Sequence, residues 1–350
     1  MGDKITRNLE TPKYPVGKFK NSLFSKVRRY VQLSKQLQEH LNQFPEHWHK
    51  YQKEFNCALD TILQEIRDFE INNTSKENLA AIRLKSRFEK RYRQYFLYGE
   101  FIKWSFEKPY GYPGDFKIID EIYLNQPRTN GFDRLWDNYF QQLLSVHSIR
   151  ERKEDFKKFI LDYVKKYEKN DVFIMNLASG PAREIMEIAD SDSSGLMLRV
   201  IFDCYDFDKN AIIYAKNLIQ GKLVKANFFV KNAIRLALSK NITNEIKQKY
   251  DLIYSMGLFD YFDGEISTRL IANLRKLLNE NGMLIISTAS EKVNNSSAAW
   301  MEWVANWHLI YRSRAEFQEI FEDAGFPTSN LRIILQRSKV MQYCLAINKC

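Results

Sequence analysis

Met175-Asn-Leu-Ala-Ser-Gly-Pro-Ala-Arg-Glu184 and, farther along, Tyr205-Asp-Phe-Asp208 are residue types at a spacing that can hold a nucleotide-bearing cofactor. The apolar run Val172 to Leu177 reads as a buried parallel strand. A helical pattern, Arg183 to Ala189, begins directly after Ser179, Gly180 and Pro181. Small residues at such a turn let the backbone approach a ligand closely. A second strand, Leu198 to Tyr205, then delivers Asp206 about where a ribose-binding acid stands in a strand, loop, helix, strand unit. A carboxylate there can accept hydrogen bonds from both ribose hydroxyls. The bland readings are a plain turn for the loop and a helix N-cap for Asp206, although Asp208 is better placed to cap.

A dinucleotide fingerprint, G-x-G-x-x-G, is not met, because Ala178 and Ala182 flank the single Gly180. That argues against a pyrophosphate on the helix start. S-adenosylmethionine carries no phosphate, so its loop needs close backbone approach without a full anion cradle, and alanine serves where the dihedrals are ordinary. The expected cofactor contacts are therefore Asn176, Ala178, Ser179, Gly180, Pro181, Arg183, Asp206 and Phe207. Asn232, offering an amide oxygen to an adenine amino group, and Ala233, offering a small surface, extend them from a third strand. A fourth strand ends in Ser255, Met256 and Gly257, followed by Phe259 and Phe262, where aromatic faces would stabilise a sulfonium; helical spacing makes those two rings core candidates first. The run Trp300 to Arg312 is dense in large side chains with polar tips and suits an acceptor pocket, yet Trp303, Trp307, Ile310 and Arg314 also fit one amphipathic packing helix.

These residues need elements to position them. From Ser22 to about Tyr98 the pattern is helical, in stretches such as Phe24 to Leu41 and Trp48 to Phe69, with an N-cap signal at Asn72 to Ser75 before a helix over Lys76 to Tyr98. Lys108-Pro-Tyr-Gly-Tyr-Pro-Gly-Asp115 is a fixed non-helical loop, and Phe132 to Tyr167 is again helical. Beyond Lys169 strands alternate with helices: Val172 to Leu177, Leu198 to Tyr205, Lys225 to Lys231, Tyr250 to Ser255, Met283 to Thr288, Leu331 to Gln336 and Met341 to Asn348. The short turn Arg337-Ser-Lys339 allows only an antiparallel hairpin for the last two. The expectation is an α/β chain in two parts: residues 1–165, a helical region forming a lid and part of the substrate pocket, and residues 166–350, a domain wound around seven strands.

The 350 residues are 45% hydrophobic and 27% charged, an ordinary composition for a chain with a full core. No long apolar run and no apolar N-terminal stretch point to a membrane or to secretion, so a cytoplasmic protein is expected. Cys57, Cys204, Cys344 and Cys350 show neither disulfide nor zinc spacing, and no metal is expected. The net charge of +10 admits an anionic partner. Its densest run, Arg83 to Arg93, reads first as a solvated helix face, and a nucleic-acid partner is not expected. Oligomeric state is left open, a homodimer included.

The Asn176 to Glu184 loop, Asp206, the Asn232-Ala233 pair and the Tyr250 to Ser255 strand resemble the class I S-adenosylmethionine-dependent methyltransferases over about residues 165–350. Lys108 to Asp115, Ser179-Gly-Pro181 and Trp307 to Arg312 further resemble bacterial proteins of 3-hydroxypalmitic acid methyl ester biosynthesis. The resemblance implies a Rossmann-like sheet with an antiparallel last strand and methyl transfer to a small molecule, with S-adenosylhomocysteine as product. O-methylation of a carboxylate or hydroxyl fits the shortage of an obvious base, since an ionised carboxylate is already a nucleophile; Arg150, Arg152 or Arg312 would clamp it. N-methylation of an amine-bearing small molecule, methylation of RNA or protein, and a non-catalytic cofactor-binding regulator are the alternatives. An amine or phenol would need a base, for which Tyr112, His147, Asp115 and Tyr311 are candidates. Tyr112, Tyr311, Arg312 and His147 are thus the expected catalytic residues, with Tyr112 and Asp115 also expected to touch the cofactor.

Overall fold

The computed structural model describes residues 16–72, 79–167 and 171–349. Helices come first: α1 Val16–Gln43, α2 Trp48–Asn72, α3 Leu79–Arg91, α4 Glu100–Glu107, α5 Phe116–Leu124, α6 Gly131–Gln142 and α7 Leu144–Lys166. Strands and helices then alternate through β1 Val172–Leu177, α8 Arg183–Ser191, β2 Val200–Asp206, α9 Lys209–Ile219, β3 Lys225–Val230, α10 Ala233–Leu238 and α11 Ile242–Glu245. The chain closes with β4 Tyr250–Ser255, α12 Gly264–Leu277, β5 Leu278–Ala289, α13 Ala298–Trp303, α14 Arg314–Asp323, β6 Leu331–Leu335 and β7 Met341–Ile347.

The seven strands form one sheet in the order β3-β2-β1-β4-β5-β7-β6. β1 to β5 pair in parallel, and β7 runs antiparallel to both β5 and β6. This is the α/β, Rossmann-like seven-stranded sheet with an antiparallel last strand that the strand pattern and the terminal hairpin predict. β1 and β4 are buried nearly end to end, as a central parallel strand covered on both faces must be. Alternation along β1 sends Met175 and Leu177 to one core, with Leu270, Leu274 and Phe321, and Val172 and Ile174 to the other, with Phe156, Ile160 and Ile185. Each such side chain contributes about 1.5–3 kcal/mol by leaving water.

Two compact units divide the chain, and they interleave. One comprises Met1–Phe106, Pro127–Phe140 and Ser296–Trp307; the other comprises Glu107–Gln126, Gln141–Asn295 and His308–Cys350. The boundary expected near 165 is not where these units divide, because α7 packs on the sheet and α5 packs on α7. In the first unit Trp136 stacks on Trp300 at 5.5 Å, and the Tyr139 hydroxyl donates to Asp60 at 3.0 Å. Trp303 lies edge-on to Phe88.

Two helical segments depart from expectation. Phe132 to Tyr167 is two helices, because Leu143 leaves the helical region with ψ 137. No helix joins Trp303 to Arg314: Asn306 is left-handed, and the segment 308–313 runs along the sheet, Ile310 N donating to Asp260 O and Arg312 N to Ala289 O. A capping box at Ser313 and Glu316 then starts α14 afresh. The cap expected at Asn72 to Ser75 lies outside the described residues.

Candidate functional site

β1 and β4 are neighbours whose connections leave in opposite directions, to β2 on one side and β5 on the other. The crevice beyond their carboxyl ends is where open α/β sheets bind ligands. The loop after β1 is built from three left-handed residues, Ala178 at φ 57, Gly180 at φ 52 and Ala182 at φ 51. Ordinary dihedrals were the expectation for the two alanines; both instead occupy glycine conformations, at roughly 1–2 kcal/mol each. The loop's amides are engaged within the protein. Ser179 N donates to Tyr205 O at 3.0 Å, Gly180 N to Asp206 Oδ2 at 2.9 Å and Ala182 N to Ser179 O at 3.0 Å, while Pro181 has no N–H. Those amides are taken and are not available to a phosphate.

Asp206 is buried, and its second oxygen accepts from Asp208 N at 2.9 Å. Burial pushes its pKa up, against the two amides and the amide of Phe207. The helix cap falls to Asp208, which accepts from Asn210 N at 2.8 Å. Beside it Phe207, Val230 and Ile234 are 50%, 54% and 43% exposed, an apolar ledge at the ends of β2 and β3. Asn232 contradicts its expected role: its Oδ1 accepts from Ile234 N and Arg235 N and caps α10, leaving no free amide oxygen pointed at a base. Ala233 is buried beside it.

The loop over 108–115 belongs to the same unit. Left-handed Lys108, Gly111 and Gly114 turn it so that the Tyr112 hydroxyl donates to Asp208 Oδ2 at 3.0 Å and its ring meets Phe207 at 4.8 Å. Burial, then the charges of Asp206 and Asp208, push the Tyr112 phenol up; a tyrosine so placed does not serve as a base. Asp115 is the buried N-cap of α5, accepting from Lys117 N and Ile118 N, so it too is structural. Arg183 is committed elsewhere as well. Its guanidinium pairs with buried Asp120, which also accepts from the Tyr214 hydroxyl at 2.5 Å, tying α5 to α8 and α9.

At the end of β4, Ser255 donates to Leu177 O at 2.7 Å, and Gly257 N donates to Ser287 Oγ at 3.1 Å. A Cβ on Gly257, which has φ 73, would stand 2.8 Å from Nη1 of Arg152. Arg152 is buried, its nearest carboxylate is Asp260 at 3.9 Å, and its Nε has no hydrogen-bond partner among the described residues. Met256 is half-buried and packs on the core with Tyr254. Phe259 is core, at 1% exposure.

The expected clamp Arg312 is instead a strut. Its guanidinium donates to the carbonyls of Phe259 and Phe262 and to Thr288 Oγ1, and burial pushes its pKa down. Arg150 is held by Gln141 at 2.6 and 2.7 Å. His147 lies exposed on the first turn of α7. Tyr311 is half-buried against the sheet, with Lys292 Nζ 5.9 Å from its ring centre. Trp300, Trp303 and Trp307 are all buried, as packing residues are.

A group the sequence reading passed over is Glu184, fully buried on the first turn of α8. Its Oε1 accepts from Asn176 Nδ2 at 2.9 Å and from the Tyr254 hydroxyl at 2.8 Å. Burial pushes it up to about 7 from the usual 4.5, against hydrogen bonds from its own backbone amide and Tyr254. Asn176 Oδ1, Ser179 Oγ and Glu184 Oε2 are buried without hydrogen-bond partners among the described residues. Nothing in a linear motif marks Glu184 as inward-facing; only the pairing of α8 with β1 does. Among the described residues no cluster of acids, histidines and cysteines could hold a metal ion. None of the described helices is long and apolar enough to cross a membrane.

The family model described as "Putative methyltransferase" matches residues 111–335. No curated protein matches the sequence. Among solved structures, a "possible exported protein" of Bordetella parapertussis is 16% identical, covers 97% of this chain and 100% of its own, and superposes with a TM-score of 0.53. Magnesium protoporphyrin IX methyltransferase from Synechocystis PCC 6803 with bound SAH is 12% identical, covers 65% of this chain and 92% of its own, and gives 0.46. An O-methyltransferase family protein of Burkholderia thailandensis is 13% identical over 59% of this chain and 61% of its own, at 0.41.

Proposed function

The chain belongs to the methyltransferase family whose model spans residues 111–335, and from that premise we propose that it transfers a methyl group from S-adenosylmethionine to a small-molecule carboxylate. The observation that carries the cofactor reading is the loop 178–182, brought close by left-handed backbone yet with the amides of Ser179, Gly180 and Ala182 already spent inside the protein. Such a loop suits a ligand without phosphate. The residues present fit the rest of that ligand. Asp206, whose oxygens accept from Gly180 N and Asp208 N at the end of β2, is the carboxylate for the ribose hydroxyls. Phe207, Val230 and Ile234 offer apolar surface for adenine, bounded by Tyr112. Arg152 is the buried cation for a carboxylate, and Asn176 Oδ1 and Ser179 Oγ are unpartnered polar atoms for an amino-acid group.

When bound, the cofactor supplies an electrophilic methyl group on a sulfonium. What the chain must add is position and exclusion of water, which together can supply about 7–11 kcal/mol. Three of the four candidate bases supply little else: Tyr112 is tied to Asp208, Asp115 caps α5 and His147 is exposed. An acceptor that arrives already ionised fits this site better than an amine or phenol. Cytoplasmic action as a small-molecule enzyme goes with this reading.

The test is transfer of labelled methyl groups by the full chain to pools of carboxylic acids, amines and phenols. The expected product is a methyl ester that releases methanol in mild base. Label retained in base on an amine would replace the carboxylate reading. Cofactor binding without transfer to any pool would favour the regulator.

A further inference from the structure

Asn176 ends β1 with an amide that must turn one end toward Glu184 and the other away. Its Nδ2 donates to Oε1 of Glu184 at 2.9 Å, leaving its Oδ1 buried with no hydrogen-bond partner among the described residues. The hydroxyl of Tyr254 donates to the same Oε1 at 2.8 Å and fixes that carboxylate from β4. An ionised carboxylate only accepts, so it holds the amide with Nδ2 toward Glu184 and Oδ1 away from it. A neutral carboxylic acid can donate, and then a rotated amide with Nδ2 outward is equally satisfied.

We propose that Glu184 is a positioning residue of the cofactor site: while ionised it holds Asn176 with its carbonyl oxygen presented to the ligand's α-ammonium group, so that affinity for the amino-acid half of the cofactor follows the charge on Glu184. This rests on S-adenosylmethionine being the cofactor. The groups facing Glu184 are Asn176 from β1, Cys204 from β2, Tyr254 from β4, Tyr123 from α5, Lys153 from α7 and Glu187 on its own helix. Arg152 lies beyond Tyr123. Burial pushes Tyr123, Tyr254 and Cys204 up, away from neutrality, and Lys153 is paired with Glu187 at 2.5 Å. Glu184, pushed up to about 7 by burial, is the member of this group that changes charge near neutral pH. A ligand ammonium on Asn176 favours the ionised form, so binding near neutrality releases part of a proton, and affinity is lost as pH falls through that value.

Calorimetric titration of the full chain with S-adenosylhomocysteine, from about pH 5.5 to about pH 7.5, tests this below the ligand's own amine titration near 7.7–8.0. 5′-Methylthioadenosine, which has the nucleoside but no amino-acid group, is the control. Affinity for S-adenosylhomocysteine is expected to weaken about tenfold toward the acid end, the size of one charge-assisted hydrogen bond, while 5′-methylthioadenosine stays flat. Glu184→Gln should flatten the first profile and leave the second unchanged. Tyr254→Phe, which removes one donor from the carboxylate, should move the transition to higher pH and serves if the glutamine variant does not fold. A pH profile shared by both ligands, or one that survives Glu184→Gln, would overturn the role of Glu184. Failure of both ligands to bind at any pH would overturn the cofactor reading instead.

Discussion

Replacing Glu184 by glutamine should change the stability of the protein in opposite directions at the two ends of the neutral range. The carboxyl titrates at about 7 in the folded chain against 4.5 ordinarily. The folded state therefore holds this proton more tightly than the unfolded state. Its stabilising contribution is fully present below about 4.5 and lost as pH rises through about 7, a difference of about 3 kcal/mol. Glutamine does not titrate. It keeps an oxygen to accept from Asn176 and Tyr254, but puts an amide at Oε2, which has no partner among the described residues, at about 1–3 kcal/mol. The variant should thus be less stable than the parent near pH 5 and more stable near pH 8, the relative swing being about 3 kcal/mol. Thermal melts of both proteins across that range read it directly, as a reversal in the order of Tm amounting to several degrees. Other titrating groups are common to both chains and cancel in the difference. Parallel Tm profiles would refute the buried, proton-holding assignment of Glu184.

The two left-handed alanines should respond differently to glycine. Ala178→Gly relieves strain at a half-buried position and should stabilise the fold by about 0.5–1 kcal/mol, whereas fully buried Ala182 also loses a packed methyl and should gain nothing, as urea midpoints would show. Arg183→Met should cost about 3–5 kcal/mol by stranding Asp120, which is 0% exposed, and Asp120→Asn in the same background should recover part of it in a double-mutant cycle. Asp206→Asn keeps one oxygen as an acceptor for the amides around Asp206, and should weaken adenosyl-ligand affinity at least tenfold with a smaller loss of Tm. Equal affinity in that variant would remove Asp206 from the ribose site.

Much of the sheet was legible because its central strands are largely apolar runs: β1 and β4 fall where the sequence puts them, and Arg337 to Lys339 leaves room only for a hairpin. Asp206 and Asp208 were separable because a strand end and a helix start are different places for a carboxylate. What failed depends on partners distant in sequence. Arg312 looked free until the carbonyls of Phe259 and Phe262 came to it from the loop after β4. Arg152 gained its place from a glycine on the same loop. Asn232 followed local rules so well, capping α10, that it had no oxygen left for a ligand. The backbone of Ala178 and Ala182 was misjudged because alanine alone argues against left-handed dihedrals, and only the surrounding hydrogen bonds enforce them. The segment 305–313 kept helical spacing but not helical hydrogen bonds, the amides of Ile310 and Arg312 being drawn to Asp260 and Ala289.

The central claim is a phosphate-free adenosyl cofactor in the crevice beyond β1 and β4. Equilibrium titration of the full chain with S-adenosylhomocysteine and, in parallel, with a nicotinamide dinucleotide tests it most directly. Saturable one-to-one binding of the first and none of the second is the predicted result. Binding of the dinucleotide, with S-adenosylhomocysteine silent, would contradict the account.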